Sequence, residues 1–401
     1  MRLFISTGEV SGDLQGGLLV KALFQQAEKL NISLEIEGLG GKKMAEAGAK
    51  LIADTTAIGS VGLWESVPFI IPTLQVQNKA KKYLQTHLPD AIILIDYVGP
   101  NLAIASSLKK KYPNTPIIWY IGPQFWVWTP LGQDVEQLVK VTDKLLAIFP
   151  EEAKFYQEKG IDVTYVGHPL TDRIKKAPSR ETARKKLGIQ ETEKMIVLLP
   201  ASRQQELKYL LPVIIESAKK IQAKFPKIKF YLPISLAKYR EEIERVINQN
   251  QLKITLFEGE TLEILAGADL AITKSGTVNL ELGLLKIPQI VIYKVNKLTM
   301  WVARKILNFS IPFMSPVNLV SMTEIVPELL QEKATVENIT NLAEELLFNS
   351  SRQHQLSQDY ATMIKVLDSG KDSVCDQVAQ EILSTGQKNK ERGCNVGRQQ
   401  V

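Results

Sequence analysis

The stretch Leu3-Phe4-Ile5-Ser6-Thr7-Gly8-Glu9-Val10-Ser11-Gly12-Asp13 carries the reading of the fold. Leu3 to Ser6 is an apolar run of strand length, Gly8 to Asp13 is a glycine-rich turn continued by Gly16-Gly17, and a helix is expected from about Asp13 to Ala27. Glycines in such a turn let backbone amides approach a ligand, and Ser11 or Asp13 is placed to cap the helix. Working outward, the apolar runs Leu34–Gly38, Ala91–Ile95, Ile117–Ile121, Lys144–Ile148 and Thr164–Val166 alternate with longer amphipathic stretches. This rhythm predicts an α/β fold, a parallel sheet with helices on both faces. Arg173–Gly188, polar, rich in Lys and Arg and containing a proline, interrupts it, and the rhythm restarts at Met195–Leu199, Lys229–Leu232, Ile254–Phe257, Leu270–Thr273 and Gln289–Tyr293. Two Rossmann-like doubly wound domains facing a central cleft are expected, at 1–172 and 191–345, joined by a linker at 173–190. Helices at 346–384 are expected to cross back to the first domain, followed by a disordered tail at 385–401.

Bulk composition agrees with that division. A chain of 401 residues exceeds one ordinary core, and 45% hydrophobic with 23% charged residues is a globular balance. The net charge of +6 suits an anionic partner, a phosphorylated substrate or an acidic bilayer, without calling for nucleic acid. Two cysteines, Cys375 and Cys394, build neither a disulfide framework nor a metal cluster, which points to a reducing compartment. The opening residues read as a strand rather than a signal peptide, and no run of about 18 apolar residues occurs, so a cytoplasmic chain with only peripheral membrane contact is expected.

Several turns carry chemistry. Glu9 sits where a carboxylate at a strand's end accepts from sugar hydroxyls, although a tight turn capped by Ser11 or Asp13 explains the same residues, Gly12 included. Pro200-Ala201-Ser202-Arg203 follows an apolar strand, and Arg203 at a helix start is a candidate for a diphosphate; a salt bridge from Arg203 to Glu206 is the alternative. Lys274-Ser275-Gly276-Thr277 precedes another helix whose amides could cradle a phosphate, with Glu281 one turn in as an acceptor for ribose hydroxyls and Lys274 as either an extra cation or a partner of a neighbouring carboxylate. Asp96, ending the apolar run Ala91–Ile95, is the candidate general base, or else a loop anchor. The rings of Tyr120, Phe125, Trp126 and Trp128 stack on a sugar, line an acyl groove or fill a core. Val61–Pro72, with Leu63, Trp64, Val67, Phe69, Ile70 and Ile71, reads as a lipid-facing segment beside Lys79, Lys81 and Lys82, or as a hydrophobic lid.

Together, Gly8-Glu9-Val10-Ser11-Gly12-Asp13, Val166-Gly167-His168-Pro169-Leu170, Pro200-Ala201-Ser202-Arg203, Ser275-Gly276-Thr277 and Pro327-Glu328-Leu329-Leu330-Gln331-Glu332 resemble the lipid-A-disaccharide synthases, inverting glycosyltransferases of the GT-B architecture. The resemblance spans nearly the whole chain. It implies transfer of 2,3-diacylglucosamine from its UDP donor to the 6-hydroxyl of 2,3-diacylglucosamine 1-phosphate, giving a β-1,6 disaccharide and UDP, with no cofactor and no metal. It also implies Asp96 as base, Arg203 on the diphosphate, Glu9 in the glycine loop, a functional Asn318, a membrane patch at Val61–Pro72, contact with the inner face of an anionic membrane and a homodimer. This chain departs from the family pattern at Gly99, where a second aspartate is usual, at Ala201 for glycine, at Lys274 for a small residue, and in the loop Ser315-Pro316-Val317-Asn318. Those departures leave open a different glycolipid acceptor or a catalytically silent binding protein, and a UDP-sugar epimerase shares the architecture.

Overall fold

A computed structural model describes all residues except 57, 59–68, 130–131, 202–203, 235–236, 306–309, 369, 371–372 and 399–401, and leaves out the side chains at 205, 297–298, 303–304 and 392–398. The chain forms two compact units, Met1–Pro169 with Leu367–Val401, and Leu170–Val366.

The first unit is built on seven parallel strands, β1 (Arg2–Ser6), β2 (Glu35–Gly40), β3 (Lys50–Asp54), β4 (Ala91–Leu94), β5 (Ile117–Tyr120), β6 (Lys144–Ala147) and β7 (Val163–Tyr165). Their order is β3-β2-β1-β4-β5-β6-β7, so the winding direction reverses between β1 and β4. Strands covered on both faces need unbroken apolar runs, and Leu3, Ile5 and all of Ala91 to Leu94 are fully buried.

The glycine turn is explained by packing. The helix begins at Glu9 rather than near Asp13 and runs to Lys29, with Gly8 at its N-cap and no side-chain cap from Ser11 or Asp13. Asp13 faces the next short helix, Lys42–Glu46, where its carboxylate accepts the amides of Gly41 (2.8 Å), Lys43 (2.9 Å) and Met44 (3.1 Å). A Cβ at Gly17 would lie 2.9 Å from the Lys43 carbonyl oxygen, and one at Gly12 would lie 2.0 Å from the Thr7 hydroxyl. These glycines bring the helix against its neighbours.

The second unit holds six parallel strands, β8 (Met195–Leu199), β9 (Lys229–Pro233), β10 (Ile254–Phe257), β11 (Leu270–Lys274), β12 (Gln289–Tyr293) and β13 (Glu328–Leu330), ordered β10-β9-β8-β11-β12-β13. Winding reverses here between β8 and β11. The expected linker is largely helical, Leu170–Ile174 and Arg180–Leu187, because its charges are used internally. The expected tail likewise continues a helix, Val374–Arg398, which belongs to the first unit and packs on Glu9–Lys29, with Gln380 Nε2 donating to Gln26 Oε1 (3.2 Å). Helix Val336–Phe348 and the next one as far as Val366 stay in the second unit.

Arg184 is only 1% exposed, and its cost of burial is met by a net of acceptors. Nη1 donates to the Gly267 carbonyl (3.0 Å) and to Asp269 Oδ2 (3.2 Å), while Nη2 reaches the Gln190 and Glu193 carbonyls. Asp269 also accepts the Met195 amide (2.8 Å) and Arg180 Nη2 (2.9 Å), which fastens helix Arg180–Leu187 to the starts of β8 and β11. Removing one partner of a buried ion pair strands the other charge. Asp269→Ala is therefore expected to destabilise the second unit by roughly 3–5 kcal/mol, read as a lowered urea midpoint in far-UV circular dichroism. A midpoint equal to that of the unaltered chain would show that the net is dispensable.

Candidate functional site

Ligands of open parallel sheets bind beyond the carboxyl ends of the strands, where the winding reverses. In the first unit that point joins the turn after β1 to the turn after β4. Glu9 (φ 60°), Asp96 (φ 43°), Tyr97 (φ 51°) and, after β5, Ile121 (φ 63°) are all left-handed, a conformation costing a non-glycine residue of order 1 kcal/mol or more. Bonds around them hold it. The Asp96 amide donates to the Ile121 carbonyl (3.0 Å), and buried Asn101 donates from Nδ2 to the Asp96 carbonyl (2.7 Å) while accepting from the Ser6 hydroxyl (2.6 Å).

A hollow of about 530 Å³ opens there, lined by Gly8, Glu9, Asp96, Tyr97, Gly99, by Phe69 at the N-cap of helix Ile70–Thr86 and by Ile70 and Thr73 in its first turn. Asp96 is exposed, Glu9 is partly so, and Gly8 lies against the Tyr97 ring, which a Cβ would approach to 2.5 Å. Burial, with the Glu9 charge beside it, pushes the Tyr97 phenol up. At Gly99 an added Cβ meets nothing within 4 Å, so the missing second aspartate leaves open space rather than a rearranged turn. Glu9 and Asp96 thus share one hollow, with Ser11 half-buried on the adjoining helix and Gly12 and Asp13 turned into the packing described above. Of the apolar segment, Ile70 and Ile71 are 51% and 67% exposed and Phe69 is half-buried; Leu63, Trp64 and Val67 lie outside the described residues.

Below this rim lies a carboxylate that motif reading missed. Glu152 is 1% exposed and accepts the amides of Gly122 (2.6 Å), Ile148 (2.8 Å) and Phe149 (3.1 Å). It thereby fixes the Ile121-Gly122 turn whose carbonyl holds the Asp96 amide. Pro150 at the helix start with Glu152 two residues on is the sequence signal that could have found it. Trp126 belongs to the core filling, packed against Phe149 at 5.5 Å, and Phe149 in turn meets buried His168 at 5.5 Å.

In the second unit the reversal joins the turns after β8 and β11. Ser202 and Arg203 lie outside the described residues. Glu206 pairs with Lys274 at 3.6 Å, so Lys274 has the carboxylate partner that one reading of it allowed. Lys274 Nζ also donates to the Ser275 carbonyl (3.3 Å), the Ser275 hydroxyl donates to the Met314 carbonyl (2.6 Å), and the Gly276 amide is taken by Asn279 Oδ1 (2.7 Å) just before Thr277 opens helix Thr277–Leu284. Glu281 is buried and ion-paired with Arg173, which also lies 3.7 Å from Glu260. Asn318 is fully buried with every polar atom used inside the fold: Nδ2 donates to the Val326 carbonyl and to Glu328 Oε1, and Oδ1 accepts the Ile325 and Val326 amides. Glu328 also accepts the Met314 and Ser315 amides (2.7 and 2.8 Å). Asn318 and Glu328 therefore set the Met314 loop against Ser275, and neither points outward. Among the described residues no group of three or more His, Cys, Asp or Glu side chains is gathered as a metal site.

Two doubly wound parallel units with a turn cluster at each reversal define the GT-B class of nucleotide-sugar enzymes. Solved structures agree on the fold: a UDP co-structure of MnaA from S. aureus (TM-score 0.61, 14% identity, 89% of this chain and 91% of that one) and MurG from Acinetobacter baumannii (TM-score 0.55, 12% identity, 96% and 98%). The family model for lipid-A-disaccharide synthetase matches residues 3–383, and the lipid-A-disaccharide synthase of a Synechocystis strain is 56% identical over 385 residues, 96% of this chain and 97% of that protein. The chain belongs to the lipid-A-disaccharide synthetase family and is a glycosyltransferase.

Burial, aided by the Asp96 charge, raises the Glu152 carboxyl to about 7, against three amides that favour the anion. Desolvation lowers the His168 imidazole to about 3. The signs oppose. Native Glu152 holds a proton that the unfolded chain has released, so its share of stability falls as pH rises from about 4.5 to 7; native His168 lacks a proton that the unfolded chain binds, so its share rises between about 3 and 6.5. The two slopes offset where they overlap. Glu152→Gln is expected to gain stability relative to the unaltered chain as pH rises from about 4.5 to 6.5, because the opposing glutamate slope is removed. Urea midpoints by tryptophan fluorescence across that range measure it; parallel curves for both proteins would refute the assignment.

Proposed function

We propose that the chain moves 2,3-diacylglucosamine from UDP to the 6-hydroxyl of 2,3-diacylglucosamine 1-phosphate, forming a β-1,6 disaccharide and releasing UDP. The carrying observation is the contrast between two reversal points: carboxylates Glu9 and Asp96 share a hollow in the first unit, while Lys274, Ser275 and a helix start meet in the second. The first favours an alcohol losing a proton, the second a leaving diphosphate.

In this reading Asp96 takes the proton from the acceptor hydroxyl as its oxygen attacks the anomeric carbon. The bond to UDP breaks on the opposite face, with inversion. Glu9 orients the sugar from the same hollow, and Asn101, Ile121 and Glu152 hold Asp96 in its left-handed turn as positioning residues. Arg203 and Lys274 neutralise the departing diphosphate together with Ser202 and the amides that open helix Thr277–Leu284, and Glu206 is released from Lys274 as the donor enters. Glu281 reaches the ribose only by exchanging its bond to Arg173, while Asn318 supports the loop beside Ser275. No described helix is long and apolar enough to cross a membrane. Contact with the inner face of the membrane through Phe69, Ile70 and Ile71, together with Leu63, Trp64 and Val67, and assembly as a homodimer, belong to the same proposal.

Incubation with both lipid-linked sugars tests the reaction: stoichiometric UDP and disaccharide are expected, and UDP-sugar epimerisation without lipid would replace the reading. Asp96→Asn is expected to lower turnover by about 10²- to 10⁴-fold with UDP affinity kept, whereas Arg203→Ala should weaken UDP binding by about tenfold or more. Titration of both variants with UDP by calorimetry, beside their turnover, separates the roles. Equal turnover in Asp96→Asn, or equal UDP affinity in Arg203→Ala, removes that residue from its role.

A further inference from the structure

The turn after β11 is held from inside by a chain of buried polar side chains that the chemistry above does not use. Asn279, Gln289 and Tyr360 are each fully buried, and all three belong to the second unit. Asn279 stands in the first turn of helix Thr277–Leu284, Gln289 opens β12, and Tyr360 lies on helix Ser350–Leu367. Asn279 Oδ1 accepts the Gly276 amide (2.7 Å), while its Nδ2 donates to the Lys274 carbonyl (3.1 Å) and to Gln289 Oε1 (3.0 Å). Gln289 Nε2 donates to the Asn279 carbonyl (2.9 Å) and to the Tyr360 hydroxyl (3.3 Å), which donates in turn to the Ile287 carbonyl (2.9 Å).

Only one orientation of these groups satisfies every partner. A backbone N–H only donates and a carbonyl only accepts. Asn279 must present its oxygen to Gly276 and its nitrogen to Lys274, which obliges Gln289 to turn its oxygen toward Asn279 Nδ2 and its nitrogen toward the Asn279 carbonyl. Tyr360 must then donate to Ile287. Burial pushes its phenol up, so the proton stays in place for that bond. Backbone groups close the chain at both ends, and a flipped amide would set donor against donor where water cannot intervene.

The consequence falls on the turn itself. Gly276, at φ 155°, has its amide committed to Asn279 and cannot offer it to a ligand. The first amides of a helix have no intrahelical acceptor, and among the described residues those of Thr277 and Val278 have no acceptor elsewhere in the protein. We propose that Asn279 is a positioning residue of the donor site: oriented by Gln289 and Tyr360, it sets the Lys274–Gly276 turn so that the Thr277 and Val278 amides are the two that receive the diphosphate of a nucleotide donor. This deepens the reading of the second unit as the donor side and rests on it.

Calorimetric titration with UDP, beside saturation-transfer NMR with uridine, tests the assignment. Asn279→Ala is expected to weaken UDP binding by about tenfold or more and to leave uridine binding unchanged, because the loss falls on the phosphates alone. Tyr360→Phe, whose missing hydroxyl bonds only Gln289 and Ile287, is expected to weaken UDP by a smaller factor in the same direction. The double variant should bind UDP no more weakly than Asn279→Ala, as members of one network do. Equal losses for UDP and uridine would mark a residue that merely supports the fold and overturn the positioning role, as would unchanged UDP affinity in Asn279→Ala or fully additive losses in the double variant. If Asn279→Ala does not fold, Tyr360→Phe decides, and UDP affinity equal to that of the unaltered chain then overturns the role. An unaltered chain that binds UDP no better than uridine sinks the donor reading itself, whereas a preference for UDP retained in both variants sinks only the positioning role.

Discussion

Parallel strands covered on both faces can be linked only by crossovers, and where the direction of those crossovers reverses, the neighbouring connections part and leave a gap at the carboxyl ends of the strands. The gap in the first unit falls between β1 and β4, and in the second between β8 and β11. Every residue assigned to chemistry enters through one of these four turns or braces one. That is why a buried glutamate such as Glu152, whose carboxylate accepts three backbone amides, bears on the position of Asp96: its hold on Gly122 keeps the Ile121 carbonyl where the Asp96 amide needs it. The strain of consecutive left-handed residues persists because Asn101 and Ile121 over-determine the turn.

The strands were legible wherever burial on both faces wrote an unbroken apolar run, as at Leu3–Ile5 or Met195–Leu198. Strand β3, with Lys50 and Asp54 at its ends and Leu51, Ile52 and Ala53 only partly buried, has no such run, and neither has three-residue β13. The stretch expected as a linker from its Lys- and Arg-rich composition is largely helical, with charges that are held internally. Arg184 is among the most buried side chains of the chain, and Arg173 is held by Glu281. Sequence distance hides such partners: Arg184 and Asp269 lie 85 residues apart.

The site was legible as turns and less so as roles. Glu9 and Asp96 stood out as carboxylates at the carboxyl ends of strands, with a tight turn and a loop anchor as the alternatives, and both line the same hollow. Asp13 and Asn318 look equally polar in sequence, yet their partners are backbone amides and carbonyls of adjacent loops, contacts that depend on tertiary placement. Glu152 and Glu328 were given no role of their own, since acidic residues near helix and strand starts are common; what distinguishes them is their tertiary partners, three amides for buried Glu152 and the Met314 and Ser315 amides for half-buried Glu328.

The second unit's turn is arranged around charge that is already neutralised. Lys274 and Glu206 are 14% and 18% exposed, and at 3.6 Å their attraction is only weakly screened. A univalent carboxylate holds that cation less strongly than a diphosphate in the same position would, because the attraction scales with the charge of the partner. On the proposed donor role of this turn, a diphosphate would replace Glu206 rather than add to it, and the lysine would not have to be desolvated afresh. The nearest side-chain atom to a Cβ placed at Gly276 is Lys274 Nζ, 2.8 Å away, so the glycine is what lets this ammonium lie across the turn. A small residue at 274, the usual pattern, would remove this cation from Glu206. The departure at 274 is thus coupled to Glu206 in the first turn of helix Gln204–Lys224, and the two form one charge pair at this reversal point.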